Sequence, residues 1–233
     1  KIHSKATAYT GGIAISVILL FAIIIFDSFD KIMSLILSIS FLISIVGLID
    51  DKYNLNFGGK LSLQVFPIIY LVLFENLALT QIGEYNYFNI DLGSFAIPFT
   101  LMSVLFLINA FNYFDGIDGM LGFTSISVFA ILYFLSLEQS THFLVKELNV
   151  QFFLITIMIP IICFLFFNFS FFKLPKLFLG DSGSLLLGFI VSFLLIYFAN
   201  QNFIHPILLA WSVVIFVYEF LSINIIRLKN KQA

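Results

Sequence analysis

Eight stretches of apolar residues, each close to the length needed to cross a hydrocarbon layer of about 30 Å, dominate the chain. They fall near 11–26, 32–49, 61–79, 94–110, 117–137, 151–170, 184–199 and 204–226. Hydrophobic residues fill 61% of the 233 positions and charged residues only 10%, a balance that excludes a water-soluble globular domain. The expected fold is an all-α, polytopic transmembrane bundle of about eight membrane helices, with the lipid bilayer as solvent and no nucleic-acid partner. Pro67, Pro98 and Pro160 lie inside apolar runs and should kink helices whose freed carbonyls are re-satisfied by neighbours. The single cysteine, Cys163, sits in an apolar run. It offers neither a disulfide nor a thiolate metal site and is expected to be a buried, inert thiol.

Alternating the runs across a bilayer places residues 1–10, 50–60, 110–116, 171–183 and the tail from Arg227 on one side. Lysine and arginine, which played no part in that assignment, test it through the positive-inside rule. Lys1, Lys5, Lys52, Lys60, Lys173, Lys176, Arg227, Lys229 and Lys231 fall on the first side; Lys31 and Lys146 fall on the other. The first side is therefore expected to face the cytoplasm, and the chain to be a multi-pass protein of the inner membrane. No linker, low-complexity tract or internal repeat divides it, so residues 1–233 read as one integral membrane domain.

The acids are distributed in a way that hydropathy does not require. Asp50, Asp51, Asp115, Asp118 and Asp181 all fall in the expected cytoplasmic loops, in Gly- or Asn-rich turns at helix ends. The segments read Gly47-Leu-Ile-Asp50-Asp51-Lys-Tyr-Asn54, Asn109-Ala-Phe-Asn112-Tyr-Phe-Asp115-Gly-Ile-Asp118-Gly119 and Phe178-Leu-Gly180-Asp181-Ser182-Gly183-Ser184. Any one of them reads equally as a helix cap or a solvated helix end. Three on one membrane face point instead to a hard cation such as Mg²⁺ that also holds phosphate oxygens, because short carboxylates on glycine-permitted backbone suit that ion. Asn109 and Asn112, three residues apart, would share one helix face. Glu219, inside the last apolar run, is a functional candidate because intramembrane acids are costly. His205 reads as an interfacial residue remote from the chemistry. A transporter would place its acids near mid-membrane, whereas only Glu75 and Glu219 interrupt the spans.

Taken together, these segments resemble the polyprenyl-phosphate N-acetylhexosamine-1-phosphate transferase family. The likeness runs from Lys1-Ile-His3 and Tyr9-Thr-Gly11-Gly12 through the Asp-Asp and Asn-rich segments to Gly180–Ser184 and Leu187-Gly188. Asn109-Ala-Phe-Asn112 followed by Asp115-Gly-Ile-Asp118-Gly119 is closer to the undecaprenyl-phosphate N-acetylglucosamine branch than to the phospho-muramoyl-pentapeptide branch, which stays as the alternative along with other UDP-hexosamines. The resemblance implies transfer of a sugar 1-phosphate from a UDP-sugar donor to a polyprenyl phosphate acceptor with release of UMP, an early membrane step in cell-envelope polysaccharide synthesis. It implies Asn112 and Asp181 as ligands of Mg²⁺, with Mn²⁺ as a substitute. Asp50 or Asp51 would engage the lipid phosphate, and Asp115 and Asp118 would shape the nucleotide-diphosphate pocket. Lys1, Lys5, Asn109, Gly11 and Gly12 would meet substrate. Lys52 and Lys60 could also steer anions, although topology-setting lysines look the same. A homodimer is a further candidate assembly.

The sequence departs from the family pattern at three places. The family carries an additional helix ahead of its first loop, an acid a few residues after the Asp-Asp pair where this chain has Asn54, and a histidine-rich cytoplasmic segment beyond the last span. The chain is thus expected to be the membrane domain of a longer protein.

Overall fold

The computed structural model describes residues 8–26, 29–85, 88–138 and 144–230. Its helices are α1 (Gly11–Ile25), α2 (Lys31–Tyr53), α3 (Phe57–Ile69), α4 (Ala96–Phe114), α5 (Met120–Glu138), α6 (Leu144–Asn168), α7 (Gly180–Asn200), α8 (Pro206–Ser212) and α9 (Val214–Lys229). Polar residues set the boundaries. Asp30 accepts a hydrogen bond from Lys31 N at 2.7 Å at the start of α2, and Asn54 stops that helix in the left-handed region, φ 49°, which asparagine tolerates better than most residues. Asn56 then caps α3 by accepting from Gly59 N at 2.7 Å. Pro67 interrupts the α3 ladder, and the helix continues as a π-helical turn, Tyr70–Phe74.

Among the described residues, six helices are long and apolar enough to cross a membrane, or seven if α8 and α9, bent by 59° at Val213, form one broken span. The expected eight is therefore too many. Hydropathy counts α1 as a span, but its 15 residues reach only about 22 Å at 1.5 Å per residue.

Helix α7 is the axis of the bundle. Of its most apolar 18-residue window, 94% is buried, against at most 44% for the other spans, and α1, α2 and α4 pack around it. Glycine makes the closest of these approaches. A Cβ on Gly12 would strike the backbone of Ser182 and Gly183, and one on Gly47 would strike Asp181 and Ser182. Small residues let helix backbones meet in this way inside a membrane. Here they draw the C-terminal end of α2 and the start of α1 onto the first turn of α7. Gly11 N and Gly12 N donate to Phe178 O and Leu179 O, each at 3.0 Å, and Phe178 N donates to Ala8 O at 3.0 Å.

At the opposite end of the bundle, β1 (Gln81–Tyr85) and β2 (Phe88–Asp91) form an antiparallel hairpin that hydropathy did not anticipate. His205 caps α8 there, its Nδ1 accepting from Ile207 N at 3.3 Å, and its ring packs edge-on against Tyr85. Cys163 is exposed on α6, correcting the expected buried thiol: the apolar run holds two faces, and Cys163 lies on the one turned outward.

Candidate active site

The packing just described brings four helix ends together. Asp50 and Asp51 sit in the last turn of α2, Lys60 in the first turn of α3, Asn112 in the last turn of α4 and Asp181 in the first turn of α7. Their centre is the ammonium of Lys60. Its Nζ lies 2.6 Å from Asp50 Oδ2, 2.5 Å from Asp181 Oδ2 and 3.2 Å from Asn112 Oδ1. Asn112 Nδ2 donates to Asp181 Oδ1 at 2.9 Å and to Ser184 Oγ at 2.8 Å, which fixes the amide so that its oxygen faces the lysine. Sequence reasoning treats Lys60 as one lysine among several; only the packing of α3 against α2 and α4 shows that it stands where a cation is needed.

Adjacent in sequence, Asp50 and Asp51 have separate jobs. Asp50 is 8% exposed; its Oδ1 accepts from Leu55 N at 2.8 Å and its Oδ2 meets Lys60. Asp51 turns to α7, where its Oδ1 accepts from Asp181 N at 3.0 Å and its Oδ2 from Ser182 N at 3.3 Å. It is a helix cap supplied from another helix, with a carboxylate at the positive end of the α7 dipole. Gly180 makes room for it: its φ is +71°, and a Cβ there would come within 2.6 Å of Asp51 Oδ2.

Asn109, one turn before Asn112, lies below the cluster. Its Nδ2 donates to Leu105 O at 2.7 Å and to Gln64 Oε1 at 3.2 Å, and the fully buried Gln64 has no partner for Nε2 among the described residues. Gly11 and Gly12 hold α1 against α7 rather than lining the lysine cluster. Lys1 and Lys5 lie outside the described residues. Glu219, on α9, is partly exposed.

Beside the cluster, a cavity of about 200 Å³ opens between the α4–α5 turn and the segment leading into α7, with Tyr9, Asp115, Asp118, Asn168 and Phe178 among its lining. The Tyr9 and Phe178 rings lie 5.4 Å apart. Asn168 donates through Nδ2 to Leu177 O at 2.9 Å, while its Oδ1 is buried without a partner among the described residues. Asp118, on the cavity wall, is exposed and pairs with Lys176 at 2.5 Å. Asp115 is deeper. Burial first, and then the carboxylates of Asp181, Asp51 and Asp118, push its pKa up to about 7.

Among the described residues, no group of three or more His, Cys, Asp or Glu side chains forms a ready-made metal cage. What converges is two carboxylates and an amide oxygen around one cationic group. That set suits an ion that takes a few protein oxygens and completes its shell with substrate phosphates and water.

The sequence model of glycosyl transferase family 4 matches residues 32–199. The chain belongs to this family. The matched segment contains every element of the carboxylate cluster and the cavity except Tyr9. Among curated relatives, the chain is 29% identical over 236 residues to the undecaprenyl-phosphate alpha-N-acetylglucosaminyl 1-phosphate transferase of Escherichia coli O157:H7, and 27% identical over 234 residues to that of Yersinia pestis. Both alignments cover 99% of this chain and 62% of the relative. A probable undecaprenyl-phosphate N-acetylglucosaminyl 1-phosphate transferase of Bacillus subtilis is 29% identical over 208 residues, covering 83% of this chain and 52% of that protein. The chain thus spans somewhat under two thirds of the length of these family members.

Proposed function

We propose that the chain carries the catalytic core of a phosphoglycosyltransferase that moves an N-acetylhexosamine 1-phosphate, best supported as N-acetylglucosamine 1-phosphate, from a UDP-sugar to a polyprenyl phosphate. The observation that carries this reading is the gathering of Asp50, Asp181, Asn112 and Lys60 from four helix ends beside the cavity of Asp115, Asp118 and Asn168. The names of the relatives support a polyprenyl phosphate acceptor and N-acetylglucosamine as the sugar.

In this reading the cavity takes the nucleotide. Asn168 Oδ1, without a partner among the described residues, is an acceptor suited to a ring N–H such as that of uracil, and the exposed ring of Tyr9 offers a face for stacking. The sugar-bearing phosphorus then lies toward the carboxylate cluster. Asp181, Asp50 and Asn112 are the residues that would hold Mg²⁺ there, and the bound ion would neutralise the diphosphate and stabilise the leaving phosphate. An oxygen of the acceptor phosphate forms a bond to the β-phosphorus, the bond from that phosphorus to the α,β-bridging oxygen breaks, and UMP leaves with the electron pair. A phosphate monoester is largely ionised near pH 7, its second pKa being about 6, so no strong base is required. Asp50 would orient the acceptor, and Asp51 holds Asp181 in place through the α7 backbone.

A second cavity of about 730 Å³, almost wholly apolar, runs between α4, α7, α8 and α9, with Phe99, Met102, Leu195 and Val217 in its walls. It is lined at the hairpin end by Leu79, Ile82 and Pro206, and on α4 it reaches as far as Leu107, five residues before Asn112. It supports an isoprenoid acceptor delivered from within the bilayer. The lysine and arginine distribution supports a site facing the cytoplasm.

The test is an assay of the full-length protein in membranes with radiolabelled UDP-N-acetylglucosamine, undecaprenyl phosphate and Mg²⁺. Label should pass into the chloroform phase, and should not when Mg²⁺ is chelated. Absence of any labelled lipid under saturating donor and acceptor would refute the assignment of this donor.

A further inference from the structure

Lys60 occupies the space in which the proposed function requires a divalent cation. Its Nζ touches three of the oxygens that would ligate that ion, at 2.5–3.2 Å, and a metal and an ammonium cannot both sit among the same oxygens, since like charges at that distance repel strongly. We propose that Lys60 is a built-in counter-cation: it fills the metal position while the site is empty and is displaced when the divalent ion enters. The inference rests on the proposed function for the existence of a metal position and adds a control over when that position is filled.

Three features support the exchange. First, the site needs a cation at all times. Asp50 is almost fully buried and Asp181 is two-thirds buried on its side chain, and a partnerless carboxylate in such surroundings is costly. Lys60 removes that cost before substrate arrives. Second, Lys60 is tethered by one end only. Its stem rises from the first turn of α3, where Gly58 and Gly59 precede it and Gly58 has open space around its Cα. Four rotatable bonds let the ammonium swing aside without moving a helix. Third, the rest of the cluster is braced and would remain. Asn112 is held by Ser184 and Asp181, the α7 backbone is held by Asp51, and Asp50 is held by Leu55 N.

The consequence is an order of binding. A bare divalent ion must displace an ion-paired lysine and gains only two carboxylates and an amide, so it binds weakly alone. A divalent ion carried on a diphosphate brings further phosphate oxygens, and those offer the displaced ammonium a new partner. The empty site is thereby kept from taking up free metal, and metal and donor arrive together.

The experiment is a Mn²⁺ titration of the full-length protein in nanodiscs, without nucleotide, following the loss of the free-ion electron paramagnetic resonance signal. Lys60→Met should bind Mn²⁺ about tenfold or more tighter than wild type, within the range typical of site coupling. Lys60→Arg, which keeps the charge, should bind as weakly as wild type. Unchanged or weaker binding by folded Lys60→Met would overturn the proposal.

A wild-type measurement stands beside it in case Lys60→Met does not fold. Acylation of Lys60 by an amine-selective reagent, read by mass spectrometry, should rise several-fold at saturating Mg²⁺ while exposed Lys52 stays constant; a constant or falling Lys60 signal would overturn the exchange. Asp181→Asn separates the two levels of inference. Loss of Mn²⁺ binding in that variant without gain in Lys60→Met removes the exchange alone, whereas full Mn²⁺ binding by Asp181→Asn removes the metal position and the exchange with it.

Discussion

The two ends of the bundle handle charge in opposite ways. At the hairpin end, the packed charges whose side chains are described have partners of their own. Lys31 Nζ meets Glu75 at 2.9 Å, and Asp30 accepts both Lys31 N and the hydroxyl of Tyr197, the latter at 2.7 Å. Of the other acids there, Glu84 and Asp91 are exposed. At the other end, Asp50 and Asp181 share one ammonium, Lys60, and Asp118 pairs with Lys176, while Asp51 is held by backbone N–H groups of α7 and Asp115 lies near Asp51, Asp118 and Asp181. Asp115 is left so deep among carboxylates that its proton affinity rises. Helix packing alone gives no reason to bring carboxylates from separate helix ends this close to one another, since partly buried like charges repel. That convergence is what the proposed function uses to hold a cation and phosphates.

Substitutions can break or sharpen this contrast. The largest effect is expected from Asp181→Asn, which removes a carboxylate from the cluster while keeping its hydrogen-bonding shape: lipid-linked product formation should fall about a hundredfold or more, with insertion and helicity unchanged by circular dichroism. Asp51→Ala should act differently despite its position next to Asp50. It strips the cap from α7 and should cost about 1–2 kcal/mol of stability, seen as a lower melting temperature, with activity falling because Asp181 loses its support. Asp51→Asn, which still accepts one hydrogen bond, should recover part of both. An Asp51→Ala protein with unchanged melting would show that the cap is not what that residue supplies.

Asp115 gives a smaller effect with a definite sign. The folded chain holds this proton up to about pH 7, whereas an unfolded chain releases it near pH 4. Between those values the folded state binds the extra proton, so the contribution of this group to stability falls as pH rises through that window. Thermal unfolding of Asp115→Asn in chelator should therefore be flatter between pH 4 and 7 than that of wild type. The smallest effect belongs to the opposite end. Lys31→Ala should leave activity unchanged and lower the melting temperature only slightly: the lysine is open to solvent, but its loss strands Glu75, whose side chain is 15% exposed.

Much of this contrast is legible in the residues themselves. Asp50, Asp51, Asp115 and Asp181 announce themselves because aspartate at several membrane-helix ends on one side has no hydropathic cause. Asn112 is legible only as one of a pair with Asn109, and the structure separates the two by a helical turn. The roles of Asp50 and Asp51 are not legible at all, since adjacent carboxylates look alike until the first turn of α7 approaches one of them. Lys60 and Asn168 stay hidden for related reasons. A lysine near a membrane boundary is an ordinary topology marker, and Asn168 matters only because its oxygen is buried beside a cavity with no partner among the described residues. In the fold, composition reveals the helices but not their reach or continuity, so α1 and the broken α8–α9 segment inflate the expected number of spans.

The most direct test of the account follows two atoms through one turnover. UDP-N-acetylglucosamine labelled with ³H in the sugar and ³²P in the β-phosphate would be supplied to the full-length protein with undecaprenyl phosphate and Mg²⁺. Transfer of a sugar 1-phosphate places both labels in the lipid product in equal amounts and leaves UMP in the aqueous phase. A lipid carrying ³H without ³²P, with UDP released, would contradict the phosphoryl transfer on which the reading of the acidic end depends.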